Sequence, residues 1–114
     1  MLSPDNRLRH RRDFGEVVRR GRRASRPLLT VHLRRTAAGS PRAGLVVSKQ
    51  VGGSVVRSTV SRRLRHQLRD LVPALPDGTQ LVVRASAAAA VASSAELGSD
   101  LRAALRRLGV LAPA

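Results

Sequence analysis

Between Gly53 and Pro73 the chain reads SVVRSTVSRRLRHQLRDLV, and this segment limits the possible fold more than any other. At 100° per residue, Val56, Val60, Leu64, Leu68 and Leu71 gather within about 120° of arc, the width of a core-facing helical stripe. Arg62, Arg65 and Arg69 fall on the opposite side, Arg63 flanks the stripe, and Arg57 lies in the first turn near its edge. Asp70 is the only acid in the segment. Such a helix must seat its stripe on a flat apolar surface and leave its guanidinium groups for water or anions. Pro73 stops it at about Val72, and Ser54 is the expected N-cap, its hydroxyl accepting from a first-turn N–H.

Strands supply the flat surface. Within RPLLTVHLRR, Leu29, Val31 and Leu33 alternate with Thr30, His32 and Arg34, the pattern of a half-buried strand. A loop marked by Gly39 and Pro41 leads to a second strand over Ala43–Ser48, expected antiparallel to the first, and a third is expected over Thr79–Arg84. Upstream, Phe14, Val17 and Val18 at helical spacing predict a helix over Arg9–Arg20, with Gly21 beyond its end. Downstream, Ser93 and Glu96 form a capping box ahead of a Leu97, Leu101, Leu105 and Leu108 stripe. The Ala-rich run between them has no decisive period. The order helix–strand–strand–helix–strand–helix describes a small α+β domain over 1–114, with flexible ends expected at 1–8 and 110–114.

Charge points to the partner. The formal net charge is +15, and residues 1–70 hold 18 Lys/Arg against 4 Asp/Glu, whereas residues 71–114 hold 4 against 3. A field of that size opposes compaction, so a polyanion is its natural counterpart. All but one of the 22 basic residues are Arg, whose planar guanidinium forks onto phosphate oxygens. No run approaches a membrane span, and the first residues lack a signal-like apolar region, so the cytoplasm is the expected compartment.

Catalytic chemistry finds little support. The seven acids, Asp5, Asp13, Glu16, Asp70, Asp77, Glu96 and Asp100, form no metal-binding or acid–base pattern. Asp13 and Glu16 read as counter-charges within an Arg-rich helix. His10, His32 and His66 lack ligand spacing, and there is no Cys. Gly52 and Gly53 match neither phosphate-loop pattern, although a helix start beside Lys49 and Arg57 suits a backbone phosphate.

With these elements in order, GLVVSKQVGGSVVRSTVSRRLRHQL resembles the signature of the bacterial ribonuclease P protein subunit, in which a V-S-K strand end and a glycine turn lead into an Arg-rich helix. RLRHRRDFGEVVRRGRR, LVVRA and ELGSDLRAALRRL extend the resemblance over nearly the whole chain. It implies a two-layer α/β sandwich of the ribosomal protein S5 domain 2-like class, with a left-handed β-α-β crossover. It further implies a catalytic RNA partner that binds Mg²⁺ and hydrolyses precursor tRNA, with no catalytic or metal-binding residue in the protein. The protein would then be monomeric alone and bind neither DNA nor membrane. Lys49, Gly52, Arg57, Ser58, Arg62, Arg63, Arg65 and Arg69 match positions facing that RNA. Phe14, Arg11, Arg12, Val18 and Val31 match a cleft for the single-stranded 5′ leader, Phe14 reading equally as ordinary core packing, and the resemblance implies that the protein lowers the Mg²⁺ requirement.

Departures from the motif matter. Gly53 and Ser54 replace its usual Asn and Ala, while Ser58, Thr59 and Ser61 replace Asn, Arg and Lys. Hydroxyls hydrogen-bond phosphate but release no counterions. Phe14 is the only aromatic residue, and stacking contributes about 1–3 kcal/mol per base, so this version leans on phosphate contacts and salt-sensitive binding. The competing reading is a ribosomal or general RNA-binding protein, which needs the charge but not the V-S-K order. A DNA-binding helix-turn-helix fits less well, because strands leave no paired first helix.

Overall fold

The computed structural model describes residues 3–112. After a 3₁₀ turn at Pro4–Asn6 come helix α1 (Arg11–Arg20), strands β1 (Arg22–Ser25), β2 (Leu29–Arg35) and β3 (Arg42–Val46), helix α2 (Ser54–Leu71), strand β4 (Thr79–Ala85) and helix α3 (Ser94–Arg107). The sheet order is β1-β2-β4-β3. β2 runs antiparallel to both neighbours, while β3 and β4 are parallel. This is the expected small α+β fold, with β3-α2-β4 as its crossover.

The second strand does not pair with the first. β4 lies between them, aligned with all of β2 from Leu29↔Ala85 to Arg35↔Thr79. Its Leu81-Val82-Val83 run explains the choice. A strand apolar on successive residues needs cover on both faces, which only a central position provides. β3, with Arg42 and Gly44, takes the edge. β1 was not expected at all, because Arg22-Arg23-Ala24-Ser25 buries only Ala24 and shows no apolar alternation.

One face of the sheet is dry. Leu29, Val31 and Leu33 of β2 and Leu81 and Val83 of β4 pack into one cluster with Val60, Leu64 and Leu68 of α2 and Leu97, Leu101 and Leu105 of α3. The predicted stripes are therefore the core, with Val56 and Leu71 half-buried at its margin. Fully burying each such side chain contributes about 1.5–3 kcal/mol. The capping box of α3 forms as expected, Ser93 N–H donating to Glu96 Oε1 at 2.9 Å and Glu96 N–H to Ser93 Oγ at 3.1 Å. The Ala-rich run closes as a 3₁₀ turn at Ala87–Val91.

Across the sheet, α1 lays Val17 on Val82, with Leu8 beside them and Phe14, Val18 and Val46 at the margin. α1 thus adds a partial third layer to the two expected. It starts at Arg11 and not Arg9, because the preceding chain is held extended against the β3 edge: Arg7 bridges to Ala43, and Leu8 N–H donates to Ala43 O at 3.0 Å. Leu8 and Val110, in the ends expected to be flexible, are both buried. Residues 1, 2, 113 and 114 lie outside the described residues. Gly53, not Ser54, is the N-cap of α2, and no side chain caps that helix.

Candidate nucleic-acid interface

The first half of the site lies where α2 overhangs the β3 edge. Arg57, Ser61 and Arg65 project at one-turn intervals and, with Ser54, Ser58 and Val47, line a hollow open to solvent. Arg57 Nε is buried there without a hydrogen-bond partner. Arg62 and Arg69 are exposed further round the helix, and among the described residues Arg69 pairs only with Asp70, at 3.8 Å, with the side chains 50% and 79% exposed. Such a pair contributes little and leaves the guanidinium available. Gly52 holds φ at +155°, and a Cβ there would stand 2.9 Å from Val56, so this glycine is required by the turn that aims the helix. Arg63 departs from expectation. Its Nη1 donates to Ala92 O at 2.7 Å, tying α2 to the segment before α3 and turning that guanidinium away from the hollow.

The second half is the wet face of the sheet beside α1. Phe14 lies directly on Gly44, where a Cβ would fall inside the ring. Arg7, Leu8, Ala43, Leu45 and Arg65 complete this hollow. Val18 is half-buried beside it, and Arg11 and Arg12 are exposed in the first turn of α1. Next to it, Val46, Ser48, Lys49, Gln50 and Arg84 border a wider depression of about 530 Å³.

Val31 does not belong to this cleft. It is 0% exposed in the dry core, because strand alternation turns it away from the face on which Phe14 lies. The residues of β2 on the same face of the sheet as Phe14 are Thr30 and His32, opposite Arg84 and Val82 on β4 and Ser25 and Arg23 on β1. None of Arg84, Arg23, Thr30 and His32 was singled out for the cleft from sequence. For Arg84, Thr30 and His32 the signal was present in the alternation itself, since each sits between two core positions; Arg23 adjoins only Ala24. His32 is 7% exposed, and burial, then the charges of Arg84 and Arg23, hold its imidazole below the usual pKa of 6.5. It is therefore a neutral ring in a cationic cleft at neutral pH.

The acids are placed elsewhere. Glu16 serves Arg19, Arg20 and Arg34, as the counter-charge reading required, whereas Asp13 joins no ion pair among the described residues, and Asp100 holds Arg26 and the Leu28 N–H. Among the described residues no three His, Asp, Glu or Cys side chains converge in a metal-binding group, and no helix is long and apolar enough to cross a membrane.

Fold and charge together define a polyanion-binding α+β protein with two adjoining cationic surfaces. A family model described as Ribonuclease P matches residues 2–109, and the chain belongs to that family, the protein component of a tRNA-processing ribonuclease. It is 56% identical over 117 residues to the ribonuclease P protein component of Streptomyces avermitilis, covering 95% of each chain. It is 50% identical over 120 residues to that of Rhodococcus opacus, covering 99% of this chain and 96% of the relative. The solved structure of the Staphylococcus aureus RNase P protein superposes with a TM-score of 0.81 at 20% identity, covering 92% of this chain and 96% of that one. At that identity the superposition speaks for the fold alone.

Proposed function

We propose that this chain grips both RNAs of ribonuclease P, with the hydrolytic centre in the RNA partner. Arg57, Ser58, Arg62, Arg65 and Arg69 of α2, with Lys49 at the glycine turn, dock on the catalytic RNA. Phe14, Val18, Arg11 and Arg12, with Arg84, Arg23 and His32 of the sheet, take the single-stranded 5′ leader of precursor tRNA. The observation that carries this reading is the position of Arg65, which lines both the hollow under α2 and the hollow under Phe14. One guanidinium thus adjoins both surfaces, so a leader in the cleft lies against the docked RNA.

Mg²⁺ is assigned to the RNA because the donor set of the chain does not suit it. Mg²⁺ wants carboxylates in a near-octahedral array, and the described residues bring no such group together. By placing fixed positive charge beside converging phosphates, the protein lowers the Mg²⁺ concentration needed for cleavage. On its own the chain is a monomer forming one RNA-binding unit, working in the cytoplasm.

Reconstitution with the organism's own RNA across a Mg²⁺ series tests this. The protein should shift precursor tRNA cleavage to lower Mg²⁺, and an unshifted curve would refute the reading. Replacing Arg62 and Arg65 together by Ala should weaken RNA binding at least tenfold, since each lost phosphate contact also flattens the salt dependence by about 0.7–0.9. Helicity should stay unchanged, because both residues lie off the apolar stripe.

A further inference from the structure

Arg63 and Gln67 stand one turn apart on the flank of α2, and both reach toward α3. Arg63 Nη1 donates to Ala92 O at 2.7 Å, and Gln67 Nε2 donates to Ser94 Oγ at 2.9 Å. Gly98 of α3 lies against the same glutamine, and a Cβ there would collide with its Oε1. Among the described residues, no other side chain of α2 hydrogen-bonds outside its own helix.

α3 is itself tied to the sheet side at two points. Asp100, 8% exposed, accepts from Leu28 N–H at 3.0 Å and from Arg26 Nε at 3.3 Å. Beyond the end of the helix, Leu108 O accepts from Arg22 Nη2 on β1. α3 is therefore a fixed reference, whereas α2 has no side chain capping its start. The aliphatic stripe of α2 holds that helix down, but apolar attraction is non-directional and guides its rotation weakly. A twist of roughly 20° carries a side-chain tip about 2 Å round a helix of ordinary width, more than an N–H···O bond tolerates. The two bonds to α3 fix what the stripe leaves loose.

We infer that Arg63 and Gln67 are positioning residues for RNA binding: by locking α2 to α3 they set the rotation at which Arg57, Ser61 and Arg65 face the RNA together. The inference rests on the proposed docking of α2 on the catalytic RNA. Arg63 acts here without touching that RNA, because its guanidinium is committed to Ala92 O. The hollow then meets phosphate as a preformed surface, and less affinity is lost to aligning it.

The clasp can be broken from its α3 side, where no charge is altered. Ser94→Ala removes the acceptor of Gln67. Gly98→Ala pushes the glutamine aside, while Ala favours the helical state of α3 more than Gly does. Each variant should bind the cognate catalytic RNA about threefold to tenfold more weakly, the range of one misaligned hydrogen bond, with its melting temperature held. Ser94→Thr keeps the hydroxyl and should restore binding. In protein that already has Arg57→Ala and Arg65→Ala, Ser94→Ala should bring no further loss of affinity, because the groups it misaims are gone. A merely structural clasp gives the reverse, a lower melting temperature with the affinity of the folded protein unchanged. That result, or an equal loss in both backgrounds, would overturn the inference. So would weakened binding in Arg63→Gln with both α3 variants silent, which makes Arg63 a phosphate contact. The Arg57→Ala, Arg65→Ala protein is also the control. If it binds RNA like the parent, the docking of α2 fails; if it binds weakly and the α3 variants are silent, only the clasp does.

Discussion

Val31 and His32 are neighbours in β2, yet one is wholly inside the dry core and the other faces a cationic cleft. The two sides of this sheet obey different rules. The dry side is closed by two long helices whose leucines repeat at helical spacing, and nearly every position there has one job. On the wet side the ten-residue helix α1 covers only part of the sheet, and what remains uncovered is charged or hydroxylated. Packing selects the residues of the first side. On the proposed reading, RNA completes the second.

The contrast predicts where mutations do damage. Leu64→Ala empties a fully buried position at the centre of the dry side, and should cost about 2–5 kcal/mol, read as a lower melting temperature. RNA binding should fall only in step with the folded fraction. If affinity dropped while the melt held, the division between the sides would be wrong. Val31→Thr sits on the same side and should lose about 1–3 kcal/mol by burying an unpaired hydroxyl. Leader affinity of the folded protein should not change, which separates a core position from a cleft position.

Gly44→Val is the corresponding break on the wet side. Its side chain would displace the Phe14 ring, with overpacking of the order of 1–3 kcal/mol. Because the sequence has no other Phe and no Tyr or Trp, the proposed leader surface has no second such ring for a base to stack on, and leader binding should weaken several-fold more than binding to the catalytic RNA. Equal losses in the two assays would place Phe14 in the core and not in the cleft.

How much of this was legible from sequence follows the same division. Periodicity located the α2 and α3 stripes and the capping box of α3, because burial repeats at 3.6 residues and cap chemistry is local. It missed the placement of β4, since pairing order depends on which strand needs cover on both faces, a comparison between distant segments. It missed β1, whose only core residue is Ala24. The resemblance to the family singled out Phe14 and the Arg helix, and the structure sets them on two hollows that share Arg65. It misplaced Val31, although the alternation of β2 already put that residue with Leu29 and Leu33. Nor was the role of Arg63 visible, because its partner is a carbonyl 29 residues away.

The smallest effect sharpens the comparison most. His32 is held neutral by burial and by the fields of Arg84 and Arg23, so its folded pKa lies below that of the unfolded chain, about 6.5. As pH falls through 6.5 the unfolded chain takes up a proton that the folded one refuses, so this residue makes stability decline on acidification and contributes nothing above that range. Melts of the protein and of His32→Gln between pH 7.5 and 5 should therefore diverge toward the acid end, with the parent losing more. A leader phosphate beside Arg23 and Arg84 reverses the sign, because its charge offsets their field and favours the imidazolium. Leader affinity should then rise from pH 7.5 to 6 in the parent and stay flatter in His32→Gln. Parallel curves for the two proteins in both measurements would mean that the ring never senses the cleft, and the wet side would have to be redrawn without β2.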